Sequence, residues 1–283
     1  MNRYAVTSTN YFTAFTVSLL MILFKPSIKF YGMNISITSF INEFTKVILK
    51  NNGSFSEGAS FSWALLLGVI GGVFFFLSFV YYQKSVRENG AALSGTFGKL
   101  GILVPMIFSV VIWREIPGLM QWIGIFMALF SILFVNLSSK KDTVNNRSIT
   151  LTLILLFIFG GMAEFQNKLF QQYALTAYKD VFLFFTFVIA FFLSLYFVIK
   201  SKQKIMKKDL LIGFLVGIPN LFSSYFLIMA LNSISTSIAF PIYSAGSIIF
   251  ISLGEVILYK EKLSKKNQFA ILVVILALTL INI

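Results

Sequence analysis

Long apolar runs separated by short polar stretches make up almost the whole chain. A helix needs about 20 consecutive apolar residues to cross the hydrocarbon layer of a membrane, so the pattern predicts an all-α integral membrane protein with about nine transmembrane helices. Their expected positions are Tyr4–Phe24, Phe61–Tyr82, Gly90–Trp113, Leu119–Leu137, Ile149–Gln172, Val181–Ile199, Leu210–Leu231, Thr236–Tyr259 and Gln268–Ile283.

The segment Asn34–Lys50 has a different pattern and is not expected to cross the membrane. Its charged residues Glu43 and Lys46 would each cost about 2.5–3.5 kcal/mol at the bilayer centre. Apolar residues recur at helical spacing on the opposite face, at Phe40, Ile41, Phe44, Val47 and Ile48. The segment therefore predicts an interfacial amphipathic helix in the long loop 25–60.

Composition excludes several functional classes. Apolar residues make up 58% of the chain and charged residues only 12%, whereas soluble domains carry about 25% charged residues. The chain has no cysteine and no histidine, which excludes disulfides, thiolate chemistry and the usual proton shuttle near neutral pH. It also has no nucleophile elbow, phosphate-binding loop or metal-ligand spacing. We therefore expect no enzyme activity, no metal and no cofactor.

Positive charge is distributed unevenly along the chain. The net charge is +13, but the basic residues lie between the apolar runs, so membrane topology explains them better than nucleic-acid binding. The connections on the side of the N-terminus carry fifteen of the 23 Lys and Arg residues. The positive-inside rule then predicts a cytoplasmic N-terminus and an external C-terminus. The richness in Phe, Ile, Lys and Asn is typical of a low-GC bacterium, so we expect the protein in a bacterial inner (cell) membrane. The expected partners are the lipid bilayer and a small-molecule solute. A homodimer is a further expectation.

The chain shows the same layout twice. One long apolar run ends in Trp113-Arg114-Glu115-Ile116, and a later one ends in Tyr259-Lys260-Glu261-Lys262; a polar turn, a glutamine and a further apolar run follow each of them. A shift of 146 residues pairs Gly71 with Gly217, Phe76 with Phe222, Ser78 with Ser224 and Glu115 with Glu261. A shift of 176 residues pairs Ala14, Phe15, Ser18 and Leu19 with Ala190, Phe191, Ser194 and Leu195.

This alignment predicts two inverted repeats. The first helix of the chain matches the second helix of the later copy, so Ile149–Gln172 has no earlier counterpart. Residues 1–138 are then a first repeat of four helices that lacks its opening helix, residues 139–148 a cytoplasmic linker, and residues 149–283 a second repeat of five. A five-helix repeat ends on the opposite side of the membrane from its start, so the repeats must be inverted. The missing helix indicates a start assigned too late or a truncated gene.

Glycines and short motifs recur at matching places in the two halves. In the first half they are Gly68–Gly72, Asn89–Pro105 with Ala91-Ala92-Leu93-Ser94, and Arg114-Glu115 followed by Gln121-Trp122-Ile123-Gly124. In the second half they are Gly213, Gly217, Ala230-Leu231 and Lys260-Glu261 followed by Gln268. With these motifs the chain resembles the EamA-like family of the drug/metabolite transporter superfamily. The resemblance implies ten helices in two inverted repeats around a central cavity; the chain departs from it in the absent opening helix and at Ala270, which stands where the first half has Gly124.

Charged residues inside the predicted spans are the first candidates for a functional site. Glu164 lies near the middle of its span and either binds solute or couples transport, or pairs with Lys168 four residues later. Lys99 lies deep in its span among small residues. It either holds an anionic group of the solute, pairs with Glu164, or extends to the cytoplasmic surface.

Polar residues near two prolines form a second set of candidates. Pro219 and Pro241 interrupt predicted helices, and each frees a backbone carbonyl that persists in lipid only where it faces protein or water. Polar side chains near these breaks suit hydrogen bonding to a small solute, and the alternative is hydrogen bonding between helices. The candidates in this set are Asn220, Tyr225, Tyr243 and Ser244, with Asn10 in the first span as a further one.

Together these features predict a secondary carrier, a permease that moves a small polar metabolite by alternating access between two bundles. The alternative is a non-transporting membrane component, either one subunit of a split carrier or a truncated remnant. The opening helix distinguishes the two interpretations, because the resemblance implies that this helix lines the cavity of a complete carrier.

Overall fold

The computed structural model describes residues 2–24, 36–49, 53–137, 150–259 and 265–281. Within these ranges all regular secondary structure is helical, which confirms the expected all-α class. The helices are α1 (Arg3–Phe24), α2 (Ile37–Phe44), α3 (Glu57–Asn89), α4 (Ala91–Leu100), α5 (Leu103–Trp113), α6 (Leu119–Leu137), α7 (Leu151–Tyr173), α8 (Lys179–Ser201), α9 (Lys207–Leu231), α10 (Thr236–Tyr259) and α11 (Lys265–Ile281). A π-helical turn follows α2 at Thr45–Leu49, and a 3₁₀ turn precedes α8 at Thr176–Tyr178.

Six helices of the described part are long and apolar enough to cross a membrane, so the chain is a multi-pass membrane protein. These spans are Arg3–Phe24, Glu57–Asn89, Leu93–Trp113, Leu151–Tyr173, Thr176–Ser201 and Lys207–Leu231. Shorter apolar helices cover Leu119–Ser131 and Gln268–Ile281. The total number of spans stays a prediction, and the expected linker 139–148 and the motif Lys260-Glu261-Lys262 lie outside the described residues.

The third expected span is not one continuous helix. It divides into α4 and α5, with Gly101 and Ile102 between them. Pro105 explains the break, because it has no N–H to donate to the carbonyl of Gly101 four residues earlier. That carbonyl instead accepts the N–H of Val104 at 3.0 Å, and the N–H of Ile102 lies 3.5 Å from the carbonyl oxygen of Lys99. The break therefore lies directly beside Lys99, one of the expected site residues.

Contacts divide the chain into two compact units, and each combines segments from both halves of the sequence. Unit 1 comprises Met1–Phe76 and Gln166–Asn232, and unit 2 comprises Leu77–Phe165 and Ser233–Ile283. The boundaries fall within α3 and α7, so these two helices contribute to both units. The expected repeats are a different division, because they follow sequence similarity rather than contacts.

In unit 1, helix α1 packs against α8 and α9. Two glycines of α9 face α1 so closely that no Cβ atom would fit. A Cβ at Gly213 would lie 2.6 Å from the carbonyl oxygen of Val6, and one at Gly217 would lie 2.6 Å from that of Asn10. Small residues four positions apart are a common means of close helix packing in membranes. The α1–α9 contact thus depends on the absence of side chains at these two positions.

Helix α8 contacts α3 through an equivalent pair of glycines. A Cβ at Gly68 would lie 3.0 Å from the carbonyl oxygen of Phe182, and one at Gly72 would lie 2.6 Å from that of Thr186. In both contacts the glycines are four residues apart and meet carbonyl groups that are also four residues apart. Unit 1 therefore contains two helix pairs with the same type of backbone contact.

Helix α2 lies where the sequence predicts an amphipathic helix. Its rings Phe40 and Phe44 contact Phe55 and Trp63, and the ring centroids are 5.9 Å apart in both pairs. The sequence pattern predicts Ile41 on the same apolar face, but this side chain is 56% exposed. The structure thus confirms a helix in this connection, and the location of the helix at a membrane surface stays a prediction.

In unit 2, helix α6 packs against α11, and α10 contacts both of them. A Cβ at Gly124 would lie 2.7 Å from the carbonyl oxygen of Ala277, so glycine again permits a close approach. The hydroxyl of Ser131 donates to the carbonyl of Ala270 at 3.0 Å. Ala270 is fully buried in this contact, so its methyl group fits where the first half of the sequence has glycine.

Candidate functional site

The structure distributes the expected site residues evenly between the two units. Unit 2 contains Lys99, Glu164, Tyr243 and Ser244, and unit 1 contains Asn10, Lys168, Asn220 and Tyr225. Each unit brings some of its members into contact. We call Lys99, Glu164, Ser244 and Ser247 of unit 2 the charged cluster, and Asn10 with Asn220 of unit 1 the amide pair.

Lys99 links α4 to α10 in the charged cluster. It lies in the last turn of α4, just before the break at Gly101, and its ammonium group donates to the hydroxyl of Ser247 at 2.8 Å. The hydroxyl of Ser247 in turn donates to the carbonyl of Ser244 at 2.6 Å. Lys99 is half-buried. Its head group is therefore held inside unit 2 and does not extend freely to a membrane surface.

Glu164 belongs to the charged cluster from α7. Its carboxylate attracts the ammonium group of Lys99 electrostatically. Gly161 lies one turn earlier on the same face of α7 and permits a close approach to the turn between α4 and α5, because a Cβ there would lie 2.5 Å from the carbonyl oxygen of Gly101. An interaction of Lys99 with Glu164 is one of the interpretations that the sequence leaves open; the structure brings the two charges close enough to attract each other, and a direct ion pair stays a prediction.

Ser244 contributes a buried hydroxyl next to Ser247 on α10. The residue is 1% exposed, and its hydroxyl has no hydrogen-bond partner among the residues that the structure describes. Tyr243 is half-buried and lies one helical turn before Ser247 on the same face of α10. Helix α10 thus presents further polar groups next to the two charges.

The amide pair joins α1 to α9 in unit 1. The side-chain amide of Asn220 donates to the side-chain oxygen of Asn10 at 3.1 Å, and both residues are half-buried. Asn10 also belongs to the close glycine contact, since its carbonyl oxygen lies against Gly217. The amide pair therefore lies at the contact between two tightly packed helices and carries no charge.

Tyr225 contacts a lysine that sequence reasoning did not select. The ammonium group of Lys179 lies 4.7 Å from the centroid of the Tyr225 ring, a cation–π geometry. Lys179 is only 7% exposed although it is the first residue of α8. Lys179 lies between two expected spans, and the sequence gives no signal for the ring that covers it.

Lys168 is buried in unit 1 together with its neighbours. It is 3% exposed, and its ammonium group donates to the side-chain oxygen of Gln171 at 3.2 Å. The preceding residues Gln166 and Asn167 are also buried, at 2% and 0% exposure. Consecutive polar residues inside an apolar span are a signal that could have identified both. A pairing of Lys168 with Glu164 stays a prediction.

A polar network in unit 2 joins the end of α3 to the start of α7. The side-chain amide of Asn89 donates to the hydroxyl of Thr152 at 3.1 Å, and its oxygen accepts from the hydroxyl of Thr150 at 3.0 Å. Thr152 donates to the carboxylate of Glu88 at 2.8 Å. The next residue, Gly90, has a φ of 84° and ends α3. The sequence indicates a turn here. It does not identify Thr150 and Thr152 as the hydrogen-bond partners of Asn89, because the packing of α3 against α7 brings them together.

A sequence model of the EamA-like transporter family matches residues 146–283. The matched region contains every expected site residue except Asn10 and Lys99. No curated protein matches the chain.

The fold is shared with solved structures. One crystal structure of a protein aligns with 100% of this chain and with 89% of its own length, at a TM-score of 0.66 and 12% sequence identity. At this identity the similarity shows the common fold alone.

Proposed function

We propose that the chain is a member of the EamA-like transporter family, whose sequence model matches residues 146–283, and that it is a secondary carrier that moves a small polar metabolite across a bacterial inner membrane. The observation that carries this proposal is the charged cluster of unit 2. It combines an ammonium group, a carboxylate and two hydroxyls within α4, α7 and α10. The proposed mechanism is alternating access, in which the site opens to each side of the membrane in turn.

Placing the charges of Lys99 and Glu164 inside the membrane costs free energy. An ionised residue at the centre of a span costs about 2.5–3.5 kcal/mol on insertion scales, and such residues commonly mark the path of a solute or an ion. Lys99 and Glu164 reduce this cost by attracting each other. A pair of well-packed apolar residues would hold the helices at least as well as an ion pair does. Their presence therefore supports a role in binding or in coupling.

The hydroxyl groups of α10 support a polar solute. The hydroxyl of Ser244 is buried and has no partner within the described part of the chain, and an unpaired buried polar group costs about 1–3 kcal/mol. A solute that hydrogen-bonds to it would remove this cost. In the proposed site Lys99 and Glu164 contact charged or polar groups of the solute, while Ser244, Ser247 and Tyr243 supply hydrogen bonds.

The glycine contacts of unit 1 support inverted repeats. A shift of 145 residues relates Gly68 and Gly72 to Gly213 and Gly217, and a shift of 176 residues relates the partners Val6, Thr9, Asn10 and Thr13 to Phe182, Phe185, Thr186 and Ile189. The two shifts relate α1 to α8 and α3 to α9, so the contact between α1 and α9 corresponds to the contact between α8 and α3. Inverted repeats require such a correspondence. We therefore propose residues 1–138 and 149–283 as the repeats. In this register Gly217 pairs with Gly72, one residue away from the pairing with Gly71 that the sequence suggests.

Four residues of unit 1 are further candidates for the path of the solute. Asn10, Lys168, Asn220 and Tyr225 are candidates for lining the path of the solute, and their contacts in unit 1 also suit the packing of helices. The positive-inside rule supports a cytoplasmic N-terminus and an external C-terminus. The functional carrier is either a monomer or a homodimer.

Binding followed by transport tests the function. Purified protein is screened by thermal shift against amino acids, nucleosides, sugars and quaternary amines, and a solute that raises Tm is then followed into reconstituted vesicles. We expect Glu164→Gln to abolish uptake without loss of expression, because the substitution removes the charge and keeps the shape.

The matched control for this substitution is Glu57→Gln, which alters an exposed carboxylate in the first turn of α3. Uptake by this variant should equal that of the unaltered protein. Unchanged uptake by Glu164→Gln would refute the proposed role of the charged cluster.

A further inference from the structure

The connection between α8 and α9 carries a dense group of exposed positive charges. Within nine consecutive residues it contains five lysines, which are Lys200, Lys202, Lys204, Lys207 and Lys208. All five are exposed. We call residues 200–208 the lysine loop. It has the highest density of like charge in the described part of the chain.

The acidic residue beside the lysine loop faces inward. Asp209 is fully buried, and one of its carboxylate oxygens accepts the backbone N–H of Asn2 at 3.2 Å and that of Met206 at 3.0 Å. These bonds turn the carboxylate toward the backbone of unit 1 and away from the exposed ammonium groups. The lysines therefore present their charge outward, where an external anion can bind it.

The backbone of the lysine loop is held in place by hydrogen bonds. The side-chain amide of Asn2 donates to the carbonyl of Gln203 at 3.3 Å, and the N–H of Gln203 donates to the hydroxyl of Ser201 at 3.4 Å. Lys202 adopts a left-handed conformation with a φ of 51° and ends α8. Because the backbone is fixed, less conformational entropy is lost when the lysines bind a partner.

Exposed apolar side chains alternate with the lysines. Ile205 and Met206 in the middle of the lysine loop are 47% and 42% exposed. Ile199 before the loop is 70% exposed, and Leu210 after it is 46% exposed. Basic and apolar groups at the end of two spans match the boundary between phospholipid head groups and hydrocarbon chains. A soluble polyanion such as a nucleic acid would leave the apolar groups in water.

From this arrangement we propose that the lysine loop binds the phosphate groups of anionic phospholipids in the leaflet that surrounds it. Each ammonium group offers three hydrogen-bond donors, and a lipid phosphate offers only acceptors. The first turn of α9 adds backbone N–H groups to the same surface, where Lys207 and Lys208 begin the helix. Ile205 and Met206 enter the boundary beside the acyl chains. This surface is distinct from the charged cluster and does not depend on the transported solute.

Site-directed fluorescence quenching tests this proposal on the full chain. The protein has no cysteine, so Gln203→Cys provides one labelling site inside the lysine loop. The labelled protein is reconstituted in phosphatidylcholine vesicles that contain spin-labelled phosphatidylglycerol or, in a parallel sample, spin-labelled phosphatidylcholine. Quenching should show an enrichment of phosphatidylglycerol of about fivefold or more near the label, which is the effect expected of one lysine at the membrane surface. The enrichment should fall as salt is added.

The other end of α9 provides the matched control. Ser233→Cys places the label in an exposed, uncharged connection, where both spin-labelled lipids should quench equally. Replacing Lys202, Lys204, Lys207 and Lys208 by glutamine should abolish the enrichment at position 203. Equal quenching by the two lipids at position 203 of the otherwise unaltered protein would overturn the proposal. An enrichment that does not fall as salt is added would also overturn the proposal. Both of these outcomes are measured on the protein with all of its lysines present.

Discussion

Unit 1 joins two helices with neutral amides, whereas unit 2 places a lysine and a glutamate among three helices. The amide pair satisfies a donor and an acceptor with each other, and such a bond between membrane helices is worth about 0.6 kcal/mol on average. Lys99 and Glu164 each carry a charge that the bilayer penalises; the two charges attract each other, and Lys99 also donates to the hydroxyl of Ser247 on α10. A neutral amide pair is therefore sufficient to hold two helices together. The charged cluster lowers the stability of the protein in the membrane, and we explain its presence by a function in binding or coupling.

The largest effect on stability is expected at the backbone contact next to the amide pair. In Gly217→Ala the new methyl group would lie 2.6 Å from the carbonyl oxygen of Asn10, so α1 and α9 must separate. We expect a loss of about 2–3 kcal/mol in the free energy of unfolding, measured by thermal or chemical denaturation in detergent. Gly246→Ala is the matched control, since a Cβ there has no atom of the described residues within 4 Å. Equal stability of the two variants would show that the glycine contact does not hold α1 in place.

The second effect comes from separating the two charges. Lys99→Met leaves the carboxylate of Glu164 without its electrostatic partner. Because both residues are half-buried, we expect a loss of about 2 kcal/mol, less than the cost of breaking a fully buried ion pair. The double variant Lys99→Met with Glu164→Gln should recover most of this stability in the same denaturation assay. If the double variant loses the sum of the two single effects, the charges are not coupled.

A smaller effect is expected from the amide pair. Asn220→Ala removes the donor to Asn10 and should lower the free energy of unfolding by about 1 kcal/mol. Transport of the identified solute should continue, in contrast to Glu164→Gln. A double-mutant cycle with Asn10→Ala measures the coupling directly. Complete loss of transport in Asn220→Ala would place the amide pair in the solute path and erase the distinction between the two units.

The smallest effect is expected at Ser247. Ser247→Ala removes one hydrogen bond to the ammonium group of Lys99 and should cost about 0.6 kcal/mol, the average for a hydrogen bond between membrane helices. Ser247→Thr keeps a hydroxyl and should restore most of the stability. A loss that Ser247→Thr does not restore would show that packing, rather than the bond to Lys99, sets the effect.

Residues with local signals could be predicted, and residues whose partners come from distant helices could not. Pro105 is a local signal for the break beside Lys99, because its missing N–H is a property of the residue itself, although the expected span Gly90–Trp113 was continuous. The interaction of Lys99 with Glu164 was one of several open interpretations, since only packing decides between them. The cation–π contact of Lys179 gave no signal, because α8 and α9 must pack before Tyr225 can cover the ammonium group.

The alignment of the two repeats could also be predicted only in part, because its exact register depends on contacts with other helices. Sequence identities placed Gly71 opposite Gly217, whereas the carbonyl contacts relate Gly72 to Gly217. Glycines at both Gly71 and Gly72 make the two registers nearly equivalent in sequence. Only the partner helix distinguishes them, because Gly72 and not Gly71 meets a backbone carbonyl.

Thiol accessibility at position 247 tests the central claim most directly, because it requires no knowledge of the solute. If the charged cluster lines a water-filled solute path, Ser247→Cys should react with a small membrane-impermeant thiol reagent from one side of the membrane. Ser131→Cys should not react, since Ser131 is buried and bonded to the carbonyl of Ala270. Reaction at position 247 but not at 131 is the predicted result. A cysteine at 247 that stays unmodified from both sides, while one at position 203 is labelled, would contradict the account.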